Sequence, residues 1–219
     1  MIVTMPPKIT QWKKEIEEIT NDIADLIENQ HVFHRLGEII KANSKLSKDN
    51  FFWDHLQANY GAAMVIGIAR QVDEKTVVIS LIRLLKDLER NHKIITKSWF
   101  ADQYKTLPRQ IGEAHFVEHF GTGAEIDISF VKKDISDLLA VTKTIKEFRH
   151  TRIAHKNKDK TLKIDLSFQE VDDALALLEK LVIKYQLLLN QAGFSELMPS
   201  IHYNWEEIFR IPWINDSKM

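Results

Sequence analysis

Apolar residues return along this chain at intervals of three and four, and that rhythm excludes most architectures other than packed helices. Ile9, Trp12, Ile16, Ile19, Ile23 and Leu26 form a two-row seam, the spacing by which a turn of about 3.6 residues buries one face. It recurs in Leu81, Leu84, Leu85 and Leu88, and again in Val131, Ile135, Leu138, Val141, Ile145 and Phe148. Two fragments, TVVIS and LKIDL, have β-like composition, and each is too short to build a sheet. With seven Gly and five Pro in 219 residues, little interrupts the pattern. The expected class is all-α, an up-and-down helical bundle.

Punctuation divides the chain. Residues 1–45 read as an N-terminal helical extension, with a helix over 8–29 that His31 to Ala42 continues or bends. The polar run NSKLSKDN over 43–50 reads as a linker. Residues 46–193 make the bundle, and 194–219 a tail that packs on the bundle or on a dimer partner. Asp49 is an expected N-cap. Residues 50–72 are apolar around most of the circumference, which predicts a central buried helix with Phe51, Phe52 and Trp53 in the core. Gly61 and Gly67 would allow a neighbouring helix close. Ser80 is placed to cap the next helix, and Thr96 to open a piece running to Tyr104 that Pro108 ends. One long helix is expected from Ser129 to about Lys156. Ser167-Phe168-Gln169-Glu170 has the form of a capping box, opening a helix to Gln191 that stops near Gly193.

The chain contains no cysteine, so disulfides, thiolate nucleophiles and Cys-based metal sites are excluded. MIVTMPPKIT lacks the basic-then-apolar form of a signal peptide. No run approaches the ~20 apolar residues of a membrane span, and a cytoplasmic location is expected. Gly121-Thr122-Gly123 lacks the continuation of a phosphate-binding loop and reads as a plain break. The formal net charge is -1, so any affinity for nucleic acid must come from a local patch.

One segment supplies such a patch. On a helical wheel for 129–156, the apolar positions from Val131 to Phe148 fall within roughly 140°. Arg149, Arg152, His155 and Lys156 continue on or beside that arc. Burying an unpaired charge costs several kcal/mol, so these groups should face carboxylates, a water-filled cleft or an anionic ligand. Between 143 and 163 there are eight Lys/Arg against two carboxylates, a local balance of +6, with His150 and His155 in addition. Such a patch attracts phosphates. The competing reading is a solvated helix end whose charges pair with Asp165, Asp172 or Asp173.

Phe148-Arg149-His150-Thr151-Arg152-Ile153-Ala154-His155 resembles the signature of HEPN domains, an Arg and a polar residue followed by a His near the end of a bundle helix. Within that superfamily the chain is similar to the abortive-infection U-type proteins. There an aromatic-rich helix such as Phe51-Phe52-Trp53 leads through Ala69-Arg70-Gln71-Val72-Asp73 into Ser80-Leu81-Ile82-Arg83-Leu84-Leu85. The resemblance covers about residues 45–192. His150 stands where Asn or Asp is common in the family.

The resemblance implies a metal-independent endoribonuclease of the R-x5-H type, with two protomers bringing their motifs to one cleft of a homodimer. It also implies an antiphage or toxin–antitoxin setting, with a nucleotidyltransferase antitoxin as a candidate partner. In that frame Arg149, His155 and His150 are catalytic, while Arg152, Lys156 and Lys146 hold RNA; no cofactor or metal is implied. His155 could exchange protons around neutral pH, and Arg149 could brace phosphoryl oxygens. A non-catalytic RNA- or nucleotide-binding module could use the same patch. A third reading is a metal-binding bundle, suggested by Glu28-x-x-His31, Glu89-x-x-His92, Glu147-x-x-His150 and the His115/His119 pair. Arg70 and Asp73 are expected to form a structural pair three residues apart.

Overall fold

The computed structural model describes residues 7–46, 51–154, 165–198 and 203–211. Helix α1 runs from Pro7 to Ala42 without interruption, with proline at its first position, where the missing N–H is not needed. Its 36 residues span about 54 Å. The seam from Ile9 to Ile23 is completely buried, and Leu26 nearly so. Although residues 1–45 read as an extension, these side chains lie in the same core as those of α2 (Phe51–Gln71), α3 (Leu81–Arg90), α6 (Ile128–Val141) and α8 (Phe168–Asn190).

α1 and α8 lie along each other and form the spine of the bundle. Polar groups register the pair: the Gln186 amide donates to Thr20 Oγ1 at 2.6 Å. α2 crosses α1 closely at Gly67, where a Cβ would come within 2.5 Å of Leu26 Cδ2. α3 packs on α6, while the short helices α4 (Lys97–Ala101) and α5 (Arg109–Phe120) form a hairpin. Among the described residues the sole β pairing is a single bridge between Thr96 and Glu125.

The capping box at Ser167 forms as expected, the Ser167 N–H donating to Glu170 Oε2 at 2.9 Å and the Glu170 N–H donating to Ser167 Oγ at 3.2 Å. α8 ends at Gln191, in the left-handed region at φ 52°, rather than at Gly193. Pro108 opens α5 instead of closing a longer α4. Ser80 occupies an N-cap position but does not cap with its side chain; its hydroxyl donates to the Asp73 carbonyl at 2.6 Å. Asp49 lies outside the described residues.

Phe51 and Phe52 depart from the expected core: they are 83% and 55% exposed. At about 100° per residue, Trp53 shares a face with buried Tyr60, seven positions on, while Phe51 points almost opposite. Only Trp53 turns inward, stacking on Phe33 at 5.1 Å; Phe33 stacks in turn on Tyr60 at 3.8 Å. In the tail, residues Trp205–Arg210 form a 3-10 helix. It is tied to α1 by a two-pronged pair in which Arg35 donates to Glu206 at 2.6 and 3.1 Å.

Candidate functional site

The long helix expected from Ser129 to Lys156 is three successive pieces. α6 stops at Val141, and buried Thr142 donates its hydroxyl to the Leu138 carbonyl at 2.6 Å, a back-bond that bends helices. α7 (Lys143–Phe148) resumes the helix. Arg149–Ala154 then widens into a π-helical turn, in which hydrogen bonds reach five residues instead of four.

The widening answers a conflict in the sequence. Continued α geometry would carry the inward stripe of Ile145 and Phe148 onto Arg149 and Arg152. A five-residue step instead aligns Phe148 with Ile153, and both are half-buried against the core. Arg149, His150 and Arg152 are exposed. The wheel expectation that these charges continue the apolar arc is therefore corrected: one extra residue per turn rotates them off it.

Rotated outward, the basic groups separate. Lys146, Arg149 and His150 line a cleft of about 390 Å³ whose opposite wall is the loop after α2, with Asp73, Glu74 and Lys75. Arg152 faces the other side, at a second cavity of about 370 Å³ bounded by Phe148, Ile153, Gly61, Val65 and Phe168. Of the sequence candidates, three are thus brought together and Arg152 is not. His155 and Lys156 lie outside the described residues.

The loop wall is held from behind. Asp73 Oδ1 accepts the Lys75 N–H at 3.0 Å. The Lys75 carbonyl accepts the Val78 N–H at 3.1 Å, and the Arg83 guanidinium donates to the Val78 carbonyl. At the end of α2, buried Gln71 donates to Asp22 Oδ2 at 3.0 Å and accepts the Leu81 N–H at 3.3 Å. Arg70 pairs with Asp22 of α1 at 2.7 Å, correcting the expected pair with Asp73. Lys75 was not among the sequence candidates; its place directly after the Ala69–Asp73 segment was the available signal.

Lys146 and Arg149 form no ion pair among the described residues. Glu74 is engaged by Lys86 at 2.6 Å, away from them. Of the carboxylates offered as local partners, Asp172 takes Gln30 at 2.7 Å and His34 at 3.5 Å, and Asp173 takes Gln169 at 2.7 Å. A phosphate entering between Lys75, Lys146 and Arg149 would meet cationic donors from two walls.

Metal-ligand spacings do not converge in the same way: among the described residues no group of three or more His, Asp or Glu is gathered to hold an ion. His115 Nδ1 lies 3.1 Å from the Tyr104 hydroxyl, and His92 Nδ1 lies 3.0 Å from the Glu89 carbonyl. No helix among the described residues is long and apolar enough to cross a membrane.

No curated protein and no solved structure matches the chain. A family model does, that of AbiU2 among the HEPN proteins, over residues 9–206. That span is wider than the 45–192 of the sequence resemblance and takes in α1, whose seam the bundle buries. The all-α bundle, the Arg149 segment at the end of one of its helices and this match over most of the chain place the protein in the AbiU2 family of HEPN proteins.

Proposed function

We propose that this protein is a metal-independent endoribonuclease acting in abortive infection or as a toxin, with its centre at Arg149–His155. The observation that carries the reading is the π-helical turn at Arg149, which puts Arg149 and His150 beside Lys146 and opposite Lys75 in one open cleft. π turns inside helices are frequent at functional sites. RNA cleavage through the 2′-hydroxyl needs a proton acceptor, support for the charged phosphorane and an acid for the leaving oxygen. His155 serves the proton transfers, the work an imidazole does near neutral pH; Arg149 supports the phosphorane; Lys146, with Lys156, holds the flanking phosphates. Arg152, turned to the apolar cavity, contacts the neighbouring nucleotide rather than the scissile phosphate. Membership of the family supports a role in abortive infection.

In this reading two protomers bring their motifs to one cleft, the arrangement that the resemblance to HEPN domains implies. The test is cleavage of a labelled RNA by the full chain in chelator. Arg149→Ala should lower the rate by about 10²–10³-fold, and His155→Ala should abolish cleavage while leaving RNA binding largely intact. RNA decay at equal rates with wild type and His155→Ala would remove the nuclease reading; binding retained in both would leave the non-catalytic module. Sedimentation of the active species as a monomer would remove the shared cleft alone.

A further inference from the structure

The loop that walls the Arg149 cleft has a second side. There, between α1 and α3, lies another polar cleft of about 270 Å³. Arg83, Lys86 and Arg90 of α3 line it at spacings of three and four, hence on one helical face, with Lys8 of α1 opposite. Glu74 lines both clefts, so the two are separated only by the loop itself.

Charge distinguishes this surface from the rest of the molecule. The second cleft has four Lys/Arg and three carboxylates in its lining, and the first has three Lys/Arg and two carboxylates, Glu74 being shared. Together they hold seven cations against four anions, a balance of +3 on a chain whose total is -1. Two of the cations are neutralised, Lys8 by Asp87 at 2.7 Å and Lys86 by Glu74 at 2.6 Å. Arg83 and Arg90 form no ion pair among the described residues. Their face runs about 10 Å along α3, so a single phosphate in the Arg149 cleft would leave it unused.

We infer that the two clefts form one track for single-stranded RNA, in which Arg83 and Arg90 hold phosphates flanking the segment bound at Arg149, a reading that rests on the ribonuclease assignment above. The strand crosses the 73–80 loop at Glu74 and Lys75. Binding therefore depends on RNA length, and the α3 cations act only on strands long enough to reach them.

Anisotropy titrations of the full chain with 2′-O-methyl oligoribonucleotides, which lack the attacking hydroxyl, test this at lengths of about 4 and about 16 nucleotides. The wild type should bind the longer strand more tightly. Arg90→Gln, which leaves the Arg83 contact to the loop intact, should weaken that binding severalfold, reduce the salt slope by about 0.7, one phosphate contact, and leave the short strand unaffected. Adding Arg83→Gln should deepen the loss on the long strand and double the change in salt slope. If both the single and the double variant bind the long strand like the wild type while Arg149→Ala loses it, the track is wrong and the nuclease assignment stands. If neither length binds the wild type, the assignment fails and the track with it.

Discussion

Gln71→Leu strikes the wall of the Arg149 cleft from behind, and its cost can be worked from two hydrogen bonds. Gln71 is completely buried at the end of α2. Leucine fills a similar volume, so little cavity forms, and both bonds vanish. The Leu81 N–H, an amide at the start of α3, loses its acceptor at 3.3 Å in a place water does not reach; a stranded buried donor costs about 1–3 kcal/mol. Asp22 loses less, because Arg70 remains at 2.7 Å and its side chain is 34% exposed; water can replace the amide for roughly 0.5 kcal/mol. The added apolar burial returns about 1 kcal/mol. The net is a loss of about 1.5 kcal/mol, which in a domain of this size lowers Tm by about 3–6 °C. Thermal and urea unfolding near neutral pH measure it. Gln71→Glu separates the two bonds: it keeps the acceptor for Leu81 but sets a second carboxylate against Asp22. That variant should be the less stable at neutral pH and should recover as the pH falls and the new carboxyl is protonated. A leucine variant within about 0.5 kcal/mol of the wild type would show that Gln71 does not tie α1, α2 and α3 together.

Glu170 and the π turn give the remaining expectations. The Ser167 N–H and hydroxyl hold the Glu170 carboxyl below its usual range, so what it contributes is complete above its unfolded value near ~4.3 and is lost as the pH drops through the folded value. Glu170→Ala should cost about 0.5–1 kcal/mol at neutral pH, and the gap in Tm between variant and wild type should close in acid; a gap that persists would refute the cap. Deleting Thr151 should let Arg149–Ala154 revert to α geometry with Phe148 and Ile153 four apart. Stability should then stay within about 1 kcal/mol of the wild type while RNA cleavage is lost, and undiminished cleavage would show that the π turn has no part in the site.

Where local pattern and tertiary packing agree, the sequence was sufficient. The seam from Ile9 to Leu26 and the Ser167–Glu170 box predicted α1 and the start of α8, because each is determined within a few turns. Where a residue's partner comes from elsewhere, the reading failed. Ser80 has the chemistry of a cap, yet Gln71 takes the amide beside it and the Ser80 hydroxyl turns to Asp73. Arg70 and Asp73 have the spacing of a pair, yet Asp22 of α1 reaches Arg70 first. Phe51 and Phe52 have core composition, but at the start of α2 their faces are left exposed among the described residues. The basic patch was legible as a patch; its division between two cavities was not, since that required knowing how the helix turns after Phe148.

That turn also links the fold to the chemistry. A helix can carry an apolar stripe past Arg149 and Arg152 only by burying guanidinium groups, at several kcal/mol each, or by changing its period. Ile153 makes the second course available, because it stands five residues after Phe148 and can take up the packing that position 152 cannot. The core then holds the π turn in place from one side, through Phe148 and Ile153, while Arg149 and His150 are presented on the other, with their backbone fixed by contacts that do not involve any ligand. A site built this way has its donors placed before any anionic ligand arrives, so little binding energy would be lost to ordering them. It also makes the apolar residue at 153 a determinant of the turn: a polar side chain there would remove the reason for the wider period, and with it the orientation of Arg149, without touching a single cationic group.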